Sequence, residues 1–249
     1  KAAAQKKLAA FTVKIGYPDK WRDYSLLKID RGPYVMNMLR GDTFETNREL
    51  KKIGKPVDRS EWGMTPPTVN AYYNPNMNEI VFPAGILQPP FFNPDADDAV
   101  NYGGMGAVIG HEMTNGFDDQ GRQYDPVGNL RDWWTKTSAT NYEKRSKAIV
   151  AQYAAYEPLP GLHINGELTQ GENIADNGGL KIAYIAMEKA MDQSGRPKLI
   201  DGLTHEQRFF LAWSQVWRSN QRPEAARNPV AVAVHSPGRG SVMFGRVHV

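Results

Sequence analysis

The sequence predicts a mainly α-helical domain with a small β hairpin, an α+β fold. Long stretches of helical composition dominate it: Tyr34–Lys52, Asp98–Phe117, Thr137–Tyr156 and Thr169–Gln193. The β-prone runs are short, Val69–Tyr73 and Glu79–Phe82. The 249 residues, 41% hydrophobic and 23% charged, suffice for a sizeable core and exclude wholesale disorder.

Residues 1–10 read as a helix tail, and Phe11–Ile29 as a mixed segment turning at Gly16-Tyr17-Pro18-Asp19. Met36, Leu39, Phe44 and Leu50 sit in the Tyr34–Lys52 helix, which Gly54-Lys55-Pro56 stops. Asn74-Pro75-Asn76-Met77-Asn78 lies between the two β-prone runs, so a hairpin is expected there. Pro83–Pro94 is turn-rich, and Asp98–Phe117 reads as a helix despite its glycines. Asp118–Arg131 is a polar loop turning at Asp125-Pro126-Val127-Gly128-Asn129. Thr137–Tyr156 and Thr169–Gln193 are helices separated by the loop Pro158–Leu168. Thr204-His205-Glu206-Gln207 fits a capping box, in which the Thr and Gln side chains satisfy each other's backbone N–H groups; it opens a helix to about Ser219. Pro223–Val249 is expected to be irregular or extended.

Composition narrows the chemistry. Lys plus Arg number 30 and Asp plus Glu 27, a net charge of +3 that gives no reason to infer a nucleic-acid partner or a membrane surface. There is no cysteine, so disulfides and thiolate zinc sites are excluded, and any metal must be held by His, Asp, Glu or a neutral oxygen. No apolar run approaches the ~20 residues of a membrane span, and Lys1–Ala10 has no apolar signal-peptide core. Gly103-Gly104-Met105-Gly106 lacks the Gly-x-Gly-x-x-Gly spacing of a nucleotide site.

The segment Val108–Asp119 carries the sharpest signal. On a helix, positions i and i+4 share a face. A His-Glu-x-x-His helix uses this to aim two imidazoles at one zinc, with the Glu beside them as general base. Here His111 and Glu112 are present and Asn115 occupies the second histidine position. A His-Glu pair alone is weak, since His205-Glu206 is a second one with no assigned role. The segment Gly171–Leu180 adds to it. Glu172 and Asp176 are again i and i+4, flanked by Ile174, Ala175, Leu180 and Ile182. One carboxylate can ligate a metal and the other can accept the ring N–H of a ligating histidine. A solvated acidic face is the plainer reading of that pair.

Several patches in one order resemble the catalytic region of the neprilysin and endothelin-converting-enzyme family of zinc endopeptidases. They are Val69–Pro75, Ile80–Phe92, Phe117–Arg122 after the His-Glu helix, Gly171–Asp176 and His235-Ser236-Pro237-Gly238-Arg239. The resemblance implies a thermolysin-like zincin fold, one zinc ion and short peptide substrates. It likens His111, Asn115 and Glu172 to the three zinc-ligand positions, Glu112 to the general base and Asp176 to the carboxylate that orients His111. Asn70 and Ala71 resemble the strand that pairs with the substrate backbone. Phe91, Val108 and Trp217 resemble the apolar pocket for the residue after the scissile bond; by composition alone they are core residues. His235 resembles the donor to the transition-state oxyanion.

Two positions depart from that pattern. Asn115 offers a neutral amide oxygen, a poor ligand for zinc, so the ion is expected to be held weakly. Ser241 stands where the family places an arginine after His-Ser-Pro. The expected organisation is a single catalytic-type domain over 1–249, with a helical lead-in over 1–60, a peptidase core over 61–239 and an unaligned tail over 240–249. The family resemblance implies a missing N-terminal lobe and an extracytoplasmic or membrane-associated setting. An impaired or active peptidase and a catalytically silent peptide-binding module are both compatible with these residues.

Overall fold

The structure is a computed structural model and describes residues 1–245. Residues 246–249, the end of the expected tail, lie outside the described residues. The chain forms two compact units, Lys1–Gly16 with Pro66 onward, and Tyr17–Thr65.

The smaller unit holds one long helix, α2 (Tyr34–Leu50; α1, Ala2–Ala9, lies in the larger unit). None of its residues is buried. Tyr24 rests on Phe44 with ring centroids 5.6 Å apart. An ion-pair chain ties the helix end to the following segment: Arg48 bridges Glu45 and Glu61, each at 2.8 Å, and Lys52 reaches Glu61 at 2.6 Å. Gly54, at φ +74°, takes the left-handed turn that a side chain would disfavour.

The larger unit begins with α1 (Ala2–Ala9) and a strand, β1 (Thr12–Gly16), inside the segment expected to be mixed. The expected hairpin forms as β2 (Tyr72–Asn74) and β3 (Glu79–Pro83), with Asn78 at φ 48° closing the turn. β3 is central: β1 pairs with it in parallel, Val13 opposite Ile80, and β2 antiparallel, Tyr73 opposite Ile80. Every residue of β3 is buried, including Glu79, which Lys14 Nζ meets at 2.6 Å. An apolar groove of about 430 Å³ lies on one face of β1 and β3, lined by Val13, Ile15, Ile80, Phe82, Ile109 and Met113 among others.

The stretch expected as one helix over Asp98–Phe117 is continuous but changes pitch. α3 (Asp98–Asn101) passes through a π-type turn, Tyr102–Gly106, into α4 (Ala107–Asn115). The glycines serve packing. A Cβ on Gly103 would stand 2.1 Å from the Phe209 carbonyl oxygen, and one on Gly104 2.4 Å from that of Phe91. α5 (Lys136–Ala154) and α6 (Gln170–Ser194) follow as expected, then α7 (His205–Val216) behind its capping box. The segment expected to be irregular from Pro223 onward is instead helical over most of its described length. Pro223 occupies the first turn of α8 (Pro223–Val232), where a missing N–H costs nothing, and α9 (Gly238–Gly245) follows. Pro229 inside α8 and the glycines of α9 are what make this region read as unstructured.

Two apolar clusters organise the unit. One joins α3, α4, α6 and α7 through Ala99, Ala107, Leu180, Met187, Phe209 and Trp213. The other packs the sheet on the π-type turn through Ala71, Ile80, Phe82, Ile86 and Met105. Each large side chain so buried contributes roughly 1.5–3 kcal/mol. Lys7 is fully buried as well. Its ammonium donates to the carbonyls of Gly121 (2.6 Å) and Tyr124 (2.8 Å) and faces the rings of Tyr73, Phe117 and Trp133. Burial lowers its pKa to about 8, opposed by the nearby Asp118 and Asp125.

Candidate metal centre

The site is built where α4 crosses α6. The helices touch backbone to backbone: a Cβ on Gly110 would lie 2.6 Å from the Gly179 carbonyl oxygen, and one on Gly179 2.3 Å from the His111 nitrogen. This close approach brings residues of α4 and α6 within reach of each other. His111 Nδ1 lies 2.9 Å from Asp176 Oδ1, and His111 Nε2 lies 3.1 Å from Glu172 Oε2. Asp176 is 3% exposed, so this contact is made in the interior. Burial disfavours the His111 imidazolium, but the contacts to Asp176 and Glu172 outweigh it and raise its pKa well above the usual value. Burial likewise works to raise Glu172, and the imidazoles of His111 and His235 beside it bring it below the usual carboxylate range.

His235 arrives from the segment between α8 and α9. Its Nδ1 stands 3.3 Å from the same Glu172 oxygen, and its ring lies 6.4 Å from that of His111, centroid to centroid. Ser236 anchors this segment by donating to Asn173 Oδ1 at 2.7 Å. Asn173 and Ser236 lie in patches that carry the family resemblance, but nothing in the sequence shows that they bond each other. Glu112 is 5% exposed, and burial pushes its carboxyl up to about 7. Asn115 Nδ2 donates to Glu112 Oε2 over 3.4 Å, a long and weak bond.

The remaining predicted positions divide. Ala71 is buried, and its N–H binds the side-chain oxygen of the exposed Asn70 at 2.9 Å. Both residues lie just ahead of β2 rather than in it. Phe91 and Val108 pack on the sheet cluster, whereas Trp217 packs on the helical cluster beside Trp213. Ser241 is buried in α9, its carbonyl 3.4 Å from Trp213 Nε1.

Zinc fits the donor set. Glu172 Oε2 and Asn115 Oδ1 are buried oxygens without a hydrogen-bond partner. Two ligands on one tetrahedral zinc, each ~2.0–2.2 Å from it, stand about 3.3–3.6 Å apart, close to the His111–Glu172 spacing. A second group of ligand-type side chains, Glu188, His205 and Glu206, lies elsewhere. Arg196 already supplies its positive charge, at 2.8 Å from Glu188 and 3.2 Å from His205. This accounts for the second His-Glu pair as an ion-pair cluster.

A buried His-Glu helix thus crosses a Glu-x-x-x-Asp helix beside a small sheet with an open edge. The chain belongs to peptidase family M13, whose model matches residues 70–243. It is 44% identical over 250 residues to neprilysin of Homo sapiens, covering 96% of this chain and 33% of that protein. The same identity relates it to an endothelin-converting enzyme homolog of Locusta migratoria, covering 97% and 34%. Among solved structures it resembles the Mycobacterium tuberculosis zinc metalloprotease Zmp1 in complex with inhibitor, with 52% identity, a TM-score of 0.95, and 98% of this chain on 38% of that one. PepO from Lactobacillus rhamnosis gives 36% identity and a TM-score of 0.85 over 97% of this chain and 37% of that one. The chain therefore spans about a third of the length of the curated relatives it matches. No helix among the described residues is long and apolar enough to cross a membrane.

Proposed function

We propose that this chain is the catalytic region of a zinc-dependent endopeptidase acting on short peptides. One observation carries the reading: His111 is held between Glu172 and Asp176, at 3.1 and 2.9 Å, beside the buried Glu112. His111 and Glu172 would hold the ion, with the Asn115 amide oxygen as its weak third ligand. Bound there, zinc supplies a Lewis acid for the attacking water and the scissile carbonyl.

Glu112 takes the proton of the attacking water and passes it to the leaving amine. Without the metal, burial raises this carboxyl to about 7; a bound zinc would favour its ionised form, which is the form that can take the proton. Asp176 accepts the His111 Nδ1–H and fixes the tautomer that leaves Nε2 free to ligate. β2 is an edge strand, so an extended peptide can align along it, with Asn70 and Ala71 at its entrance. Phe91, Val108 and Trp217 supply the apolar contact for the residue after the scissile bond. His235 is the candidate donor to the oxyanion. In a protein of the relatives' length, the remaining polypeptide would complete the substrate cavity as a second lobe.

Asn115 weakens the metal and with it catalysis. Zinc content and cleavage of a fluorogenic peptide, measured on this chain and on Asn115→His, test the reading. The Asn115 chain is expected to hold zinc weakly and to cleave slowly, and Asn115→His to improve zinc binding. In the Asn115→His background, Glu112→Gln should keep the metal and lose the cleavage that background shows. Equal zinc affinity of the parent chain and Asn115→His would refute the account of Asn115, and undiminished cleavage by Glu112→Gln would refute the general base.

A further inference from the structure

Given zinc held by His111 and Glu172 as proposed, we propose that His235 is itself a zinc ligand in this chain, filling the place that Asn115 leaves poorly served. The first support is the state of Asn115. Its amide nitrogen faces Glu112 over 3.4 Å, and its oxygen is buried without a partner. A neutral amide oxygen is a poor match to zinc, whereas neutral imidazole is the commonest metal ligand among side chains.

The second support is position. Glu172 Oε2 has His111 Nε2 at 3.1 Å and His235 Nδ1 at 3.3 Å. Each is near the spacing of adjacent ligands on one tetrahedral ion, about 3.3–3.6 Å. Two imidazoles sharing such an ion have centroids about 5 Å apart. The His111 and His235 ligand nitrogens are more than 4.8 Å apart, so the His235 ring, now 6.4 Å from that of His111, would need to swing inward by about 1.4 Å.

The third support is freedom to make that swing. The His235 side chain is 54% exposed, and among the described residues no hydrogen bond holds its ring. Its backbone, by contrast, is pinned next door: Ser236 Oγ donates to Asn173, which is fully buried and adjacent to Glu172 on α6. The ring is therefore delivered to the metal ligand and left able to turn. A His111–Glu172–His235 set restores three strong protein ligands and keeps a fourth position open. The inward swing has a cost, so zinc held this way stays weaker than in Asn115→His, and an imidazole engaged by the ion cannot donate to an oxyanion, so turnover is slow.

The test is a zinc titration against a competing chromophoric chelator, on the full chain. The variants are His235→Ala and His235→Gln, each alone and combined with Asn115→His, together with His111→Ala. Far-UV circular dichroism of the metal-free proteins checks that they fold. In the Asn115 chain, both His235 variants should lower zinc affinity by at least about tenfold, a loss as large as that of an outer-shell partner. In the Asn115→His background the same variants should change it by less than about twofold. An equal effect of His235→Ala in the two backgrounds overturns the proposal. If His111→Ala abolishes binding and the His235 variants do not, the His111–Glu172 centre stands and the His235 ligand falls. If His111→Ala leaves binding unchanged as well, the underlying zinc reading fails with it.

Discussion

Replacing Gly179 with alanine tests whether the α4–α6 contact sets the metal geometry. The added Cβ would lie 2.3 Å from the His111 nitrogen and 2.7 Å from the Ala107 carbonyl oxygen, both backbone atoms that cannot rotate away. Ordinary contact begins near 3.4 Å, so the helices must part by about 1 Å. Zinc–ligand distances tolerate only ~0.2 Å, so an opening of that size separates His111 from Glu172 as partners on one ion. Overpacking of this kind costs about 1–3 kcal/mol, and each kcal/mol lowers the melting temperature of a domain this size by about 2–4 °C. Gly179→Ala should therefore melt several degrees lower and bind zinc at least about tenfold more weakly. Gly41→Ala is the control. It lies in α2 with nothing within 4 Å, and it should gain about 0.5–1 kcal/mol as helix propensity dictates. Calorimetry and a zinc titration on the three proteins decide the matter. A Gly179→Ala protein with parental melting temperature and zinc affinity would refute the view that this contact sets the ligand spacing.

Asp176→Ala removes the acceptor for His111 Nδ1 and should lower zinc affinity by ~10–100-fold; a zinc titration with unchanged affinity would count against its orienting role. Asp118 offers a pH test. Burial raises its carboxyl from 3.8 to about 7, so its contribution to stability is present below about pH 4 and is lost as pH rises toward 7. Asp118→Asn keeps an oxygen for the Gln120 and Gly121 N–H groups, and its melting temperature relative to the parent should climb between pH 4 and pH 7. A difference independent of pH would remove Asp118 as a buried acid.

The i and i+4 pairs were legible because a helix turns that spacing into a shared face, and both pairs fall in stretches of helical composition. His111 with Asn115 and Glu172 with Asp176 therefore stand out in the sequence. The hairpin was legible too, since Asn and Pro between β-prone runs leave few alternatives. β1 was not: Thr12–Gly16 is short, and its partner β3 lies far along the chain. The π-type turn was hidden for a related reason, because its glycines answer to the carbonyls of Phe209 and Phe91, which only the tertiary fold brings near. In α8 and α9, local breakers outweighed the helical residues around them. His235 was reached through resemblance alone, and its anchor, Ser236 on Asn173, joins two ordinary polar residues 63 positions apart.

Lys7 sets where this domain can be cut. Its ammonium ties a residue of the first helix to a carbonyl 114 positions later, in the loop that directly follows the His-Glu helix. Trimming residues 1–11 as a dispensable leader would leave the Gly121 and Tyr124 carbonyls without their donor and the faces of Tyr73, Phe117 and Trp133 around a hole. The loss would reach the loop packed against Asn115, where Gly121 has no room even for a methyl group, 1.8 Å from the Asn115 carbonyl oxygen. A shortened version for expression should therefore begin no later than α1, and a fusion partner joined there needs a spacer long enough to leave that lysine seated.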